Sequence, residues 1–169
     1  MKVTSAEASK ILKKLNIEYN DLLRLEDKTS TFLAAVGEDI ESVRPEYNYD
    51  ETRAKATKLA ADIRKIKHAI NVFNTVTVLP GFNMTIDEAL VFIPQLTARI
   101  GRLNGMKSVL PKERQEIYGR SSTNLIDYKY ANYDISKAEN DFYQANDTLA
   151  RVQLALDSVN NTELIEIDI

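Results

Sequence analysis

Residues 134–159 read Asp134-Ile-Ser-Lys-Ala-Glu-Asn-Asp-Phe-Tyr-Gln-Ala-Asn-Asp-Thr-Leu-Ala-Arg-Val-Gln-Leu-Ala-Leu-Asp-Ser-Val159, and this stretch decides the fold class. Ile135, Ala138, Phe142, Ala145, Leu149, Val152, Leu156 and Val159 recur in alternating steps of three and four. That spacing holds one apolar stripe of an α-helix against another helix, whereas a strand repeats every second residue. Asp134 stands where an N-cap is needed, its carboxylate free to accept from the first unpaired backbone N–H groups.

Working outward, three more helices follow the same logic. The segment from Asp50 carries Ala56, Leu59, Ile63, Ile66, Ile70 and Phe73 at the same alternating steps. The segment after Thr85 opens with a capping box, Thr85 with Glu88, and runs to about Leu110 before Pro111. Pro94 lies inside it. Ala98, Gly101 and Gly105 share one face, where another helix backbone could approach closely; Arg99, Arg102 and Lys107 exclude a membrane setting for that spacing. The first helix starts at a second capping box, Thr4 with Glu7, and its heptad rows predict a helix as far as Val36, with Gly37 as its stop. One row is Ala8, Leu15, Leu22 and Val36, the next is Ile11, Leu25 and Phe32, and Leu12, Tyr19 and Leu33 widen the stripe.

Short extended pieces lie between the helices. Thr75–Leu79, Pro80-Gly81 and Phe82–Thr85 read as a hairpin, Leu125–Tyr133 as a strand, and Leu164–Ile169 alternates Ile165, Ile167 and Ile169 against Glu166 and Asp168. Residues 69–75 and 155–162 both end a helix on an Asn-Thr exit before a strand, a faint repeat. The expected fold is mainly all-α: long antiparallel coiled-coil-like helical hairpins with a small β-sheet at one end. It forms a single domain over residues 1–169, in two similar halves of about 1–84 and 85–169.

Composition narrows the function classes. A net charge of −3 gives no general pull toward phosphate backbones or anionic lipid, so neither a nucleic-acid nor a membrane partner is expected. The chain has no cysteine, which removes disulfides, thiolate metal sites and cysteine nucleophiles. Nothing at the N-terminus reads as a signal peptide and no apolar run reaches the roughly 18 residues of a membrane span, so a cytoplasmic location is expected and the sequons at Asn83, Asn146 and Asn160 read as chance. His68, the one histidine, falls at an outer heptad position facing solvent. No catalytic set, metal site or cofactor motif is present.

One segment offers binding chemistry. Arg114, Tyr118, Arg120, Tyr128 and Tyr130 lie close in sequence, with Lys112 and Tyr133 among them. Tyrosine with arginine suits both subunit contacts and the gripping of phosphate or carboxylate beside a stacked ring. Packing or subunit contact is the reading preferred; a small-ligand or nucleotide site is the alternative. The acidic stretch Glu38–Asp50, with Tyr47 and Tyr49, reads as an exposed connector.

The run Ile70-Asn-Val-Phe-Asn-Thr-Val-Thr-Val-Leu79, with Thr85-Ile-Asp-Glu-Ala-Leu90 and Arg99-Ile-Gly-Arg-Leu103, resembles the septicolysin-like family of bacterial helical proteins. The strand into Asp134-Ile135 and the Asn-Thr ending are similar too, whereas Pro80-Gly81 and the stretch Glu38–Asp50 depart from it. The resemblance implies a long-helix fold assembling as a homo-oligomer, a hexamer among the options, with no established activity. The expected role is a self-assembling helical scaffold or protein-interaction protein, whose partners are its own copies and then another protein. An oligomeric ligand-binding protein or enzyme with sites at subunit junctions is the alternative, and a membrane-acting lysin the least favoured.

Overall fold

Threonine hydroxyls start two of the long helices. Thr4 Oγ1 accepts from the Glu7 N–H while the Glu7 carboxylate accepts from the Thr4 N–H, and Thr85 and Glu88 repeat the exchange. Each box pairs two donors that a helix end otherwise leaves bare. Asn48 and Asp134 cap the other two with single side-chain acceptors, to the N–H groups of Glu51 and Lys137.

The computed structural model describes residues 1–115 and 127–169, and it is mainly helical. In chain order its elements are β1 (Lys2–Thr4), α1 (Ser5–Thr29), α2 (Ile40–Val43), α3 (Tyr49–Val76), α4 (Ile86–Lys107), β2 (Lys112–Gln115), β3 (Asp127–Tyr130), α5 (Ile135–Thr162) and β4 (Leu164–Glu166). Contacts gather them into two units, Met1–Thr77 with Ser158–Ile169, and Val78–Asp157. Buried side chains on the long helices fall at seven-residue intervals: Leu59 and Ile66 on α3, Ala89, Leu96 and Leu103 on α4, and Ala138, Ala145, Val152 and Val159 on α5. On α3 and α5 these buried residues belong to the stripe read from the sequence, whereas the α4 row was not read there.

In the first unit α1 packs along α3 in the opposite direction. Ala8, near the start of α1, shares a core with Ile66 late in α3, while Glu26 near its end meets Arg53 near the start of α3. Strands β1 and β4 close this core: they pair antiparallel, Val3 opposite Ile165, and Ile165 and Ile167 drop into it beside Phe73 and Ile70. Fully burying an isoleucine such as Ile66 or Ile167 stabilises by about 1.5–3 kcal/mol.

In the second unit the core lies between α4 and α5, where Leu96, Leu103 and Ala145 meet with Phe92, Ile100, Phe142 and Leu149 around them. Strands β2 and β3 pair antiparallel here, and every residue of both is exposed.

Four expectations need correction. Helix α1 stops at Thr29 rather than Val36. Thr29 turns its hydroxyl back onto the Leu25 carbonyl and the Ser30 N–H bonds Glu26, so a hydroxyl-bearing run of poor helix formers ends the ladder. Gly37, at φ 89°, serves a later turn in which the Glu38 N–H reaches Ala35. The 75–85 hairpin shrinks to one bridge, Val78 with Thr85, around a Leu79–Phe82 turn with Gly81 at φ 78°. The strands form two separate two-stranded sheets instead of one. A Cβ built on Gly101 or Gly105 meets nothing within 4 Å, so the Ala98 face is exposed and, among the described residues, no helix packs closely on it.

Candidate functional site

The β2–β3 ribbon carries the tyrosines and cations singled out above. Its register sets Lys112 opposite Tyr130 and Arg114 opposite Tyr128. Side chains alternate across a strand, so Lys112, Arg114, Tyr128 and Tyr130 share one face while Glu113, Gln115, Asp127 and Lys129 take the other. The first face is cationic and aromatic; the second is nearly charge-balanced. Tyr118 and Arg120 lie outside the described residues.

Contacts on the first face are cation–π in kind. Lys112 Nζ sits 4.0 Å from the centre of the Tyr128 ring and 5.5 Å from that of Tyr130, and the two rings are 6.5 Å apart at 51°. Such a contact at an exposed site contributes about 0.5–1 kcal/mol. Arg114 has no ion pair among the described residues. Tyr133 is employed differently: its hydroxyl donates to the Met106 carbonyl at 2.8 Å, satisfying an acceptor in the last turn of α4. The Ala131 N–H adds a rung to the Pro111 carbonyl at 3.2 Å. The surface offers a guanidinium, an ammonium and two phenols in water, suited to holding an anion or a partner's side chains. It brings no base and nucleophile together.

Three features escaped the sequence reading. Glu26, almost fully buried, receives the Tyr47 hydroxyl at 3.0 Å and Arg53 Nη2 at 2.7 Å on one carboxylate oxygen. Loss of water around Tyr47, then the bond to Glu26, pushes its phenol above the ordinary value. Tyr47 thus ties the acidic connector to the helix pair, and only the acidic residue in a mostly apolar row hinted at it. Second, Lys107 Nζ lies 4.1 Å from the Phe142 ring centre and 5.5 Å from Tyr143. Third, exposed His68 borders an open groove of about 420 Å³ floored by Ala69, Val72 and Phe73 and edged by Leu164 and Glu166. The groove is apolar and lacks the convergent polar groups of a small-molecule site.

Among the described residues, no group of three or more His, Asp or Glu side chains could hold a metal ion, and no helix is long and apolar enough to cross a membrane. No family model matches the chain, and no curated protein matches it. Among solved structures the chain is similar to a functionally unknown conserved protein from Corynebacterium diphtheriae, at 19% identity and a TM-score of 0.59. The match covers 98% of this chain and 100% of that one, and at such identity the likeness speaks of the fold alone.

Proposed function

We propose that this chain is a self-assembling helical scaffold or protein-interaction protein, built from antiparallel coiled-coil-like hairpins that associate with further copies. One observation carries it: large apolar side chains stand on the outer faces of the long helices, with Val76, Val91 and Leu154 each more than half exposed. A helix whose inner stripe is already filled and whose outer face is still apolar calls for another helix. Copies of the same chain are the partner that brings matching stripes, and closed symmetric assemblies are the common outcome. Kinship with the septicolysin-like proteins, a hexameric count and a cytoplasmic location belong to the same proposal.

Native mass spectrometry tests it by counting subunits and weighing any retained molecule. A defined oligomer is expected. A monomer at micromolar concentration that captures no partner in pull-downs would end the scaffold reading.

A second reading has its own support in the ribbon register, which gathers Lys112, Arg114, Tyr128 and Tyr130 on one exposed face. Those groups suit an anionic small ligand or nucleotide held at a subunit junction. Thermal shift across a panel of anionic metabolites checks it: a stabilising ligand should lose its effect in Arg114→Ala and Tyr128→Ala, and a flat panel would retire the idea.

A further inference from the structure

We infer that the connector end of the first unit, where α1 gives way to Phe32–Ile40, is an interface covered by the same end of a second copy. This rests on the assembly reading and names one of its surfaces.

The heptad rows of α1 continue past the point where the helix stops. Leu22 leads to Val36 on one row and Leu25 to Phe32 on the next, yet the helix ends at Thr29. Val36, which its row assigns to the inside of a stripe, and Leu33, which widens that stripe, are the most exposed large apolar residues described, at 108% and 96%. Leu25 and Ile40 beside them are more than half exposed.

The segment is held in place. The Ala35 N–H donates to Glu38 Oε2 at 2.8 Å, the Arg44 guanidinium lies 5.8 Å from the centre of the Phe32 ring, and Tyr47 anchors the returning chain on Glu26. Apolar side chains presented by an anchored loop are preorganised, so less ordering cost falls on binding.

Size and shape select the occupant. The exposed parts of Leu25, Phe32, Leu33, Val36 and Ile40 together amount to roughly 500 Å², in the range of the largest and often functional apolar patch on a monomer. Two such patches facing each other reach the about 1,000 Å² that a specific interface clears. The receptacle is on the same unit: Leu22 and Leu25, rimmed by Glu18, Asp21 and Lys55, form an open groove of about 300 Å³. A two-fold contact uses each surface twice, the Leu33–Val36 knob of each copy entering the other's groove, as an isologous interface requires.

Because the chain has no cysteine, one introduced thiol reports on this contact alone. Val36→Cys should give a covalent dimer with a short bis-maleimide, with Lys10→Cys, exposed near the start of α1 in the same unit, as the comparison. Light scattering of Leu33→Asp/Val36→Asp should show at least a ten-fold weaker association with an unchanged helical circular dichroism spectrum. If that variant assembles like the parent, or Val36→Cys crosslinks no more than Lys10→Cys, this interface is wrong while the scaffold reading survives. A parent chain that is monomeric at high micromolar concentration removes both. Should the double variant unfold, the cysteine pair still decides. Capture of a different protein at this end without self-association would also overturn the inference.

Discussion

The two ends of the α1–α3 pair are closed in opposite ways. At one end β1 and β4 lay Ile165 and Ile167 over Ala8 and Ile66, and the seal is apolar. At the other end the innermost group is a carboxylate, Glu26, held by Tyr47 and Arg53, while the apolar residues of the connector point outward. Apolar burial yields net stability roughly in proportion to area, whereas the Glu26–Arg53 pair, with the carboxylate buried and the guanidinium half exposed, sets its attraction against the desolvation of the carboxylate. Stability is therefore concentrated at the strand end, and the connector end has surface to spare for contacts.

The largest effect should come from emptying the apolar seal. Ile167→Ala, at a fully buried site, is expected to cost about 2–5 kcal/mol in urea unfolding, and Ile66→Ala the same. A loss below about 1 kcal/mol for Ile167→Ala would mean that the terminal strand is an ornament and the comparison fails.

Thr4→Ala should cost about 1 kcal/mol through the lost cap, with Thr85→Ala in the second unit as a ruler for the same chemistry. The Thr4 backbone N–H, then its hydroxyl, lowers Glu7 below its ordinary 4.5. A depressed carboxyl contributes stability above its unfolded pKa and loses it as pH falls through the folded one. The difference between parent and Glu7→Gln should accordingly shrink below pH 4.5.

Much of this contrast was legible in the sequence, and the illegible parts share a cause. The four long helices, the caps at Thr4, Thr85 and Asp134 and the buried rows of α3 and α5 follow from local spacing, because a helix buries a stripe its own period defines, whereas the Asn48 cap of α3 was not read. The end of α1 was written in Thr29-Ser30-Thr31, but the apolar rows ran on to Val36 and outweighed it. β1 is three residues long and β2 reads Lys-Glu-Arg-Gln, so neither displays an alternating apolar pattern. Pairing of Val3 with Ile165 joins positions over 160 residues apart, which no local pattern encodes. At the candidate site, residue types pointed to Arg114, Tyr128 and Tyr130, but only the register revealed that they share a face with Lys112.

Smaller still, and specific to the connector end, is the alkaline limit set by Tyr47. Its phenol titrates above the ordinary 10.0 because folding removes water from it and sets it against Glu26. The sign follows directly: a raised acid contributes stability fully below its unfolded pKa and loses it as pH rises through the folded one. Parent and Tyr47→Phe should differ most below pH 10 and converge above it, with the late-titrating phenolate absorbance missing from the variant. If the two curves stay parallel through pH 11 or so, the hydroxyl does not anchor the connector.

The smallest expected effect on stability is the one that sharpens the comparison most. Leu33→Asp should leave the unfolding free energy of the single chain within about 0.5 kcal/mol of the parent, because its side chain touches water on nearly all sides. The measurement belongs at the lowest concentration fluorescence allows, where mass action no longer adds association energy to folding. The same leucine-to-aspartate change in a core would cost several kcal/mol through the lost packing and the buried charge. A near-zero value would mean that the heptad row beyond Thr29 is not used inside the chain, so whatever selects leucine there acts between molecules. A cost above about 2 kcal/mol would instead return the connector to the core of its own unit, make the two ends alike, and leave no apolar surface at that end for a partner to cover.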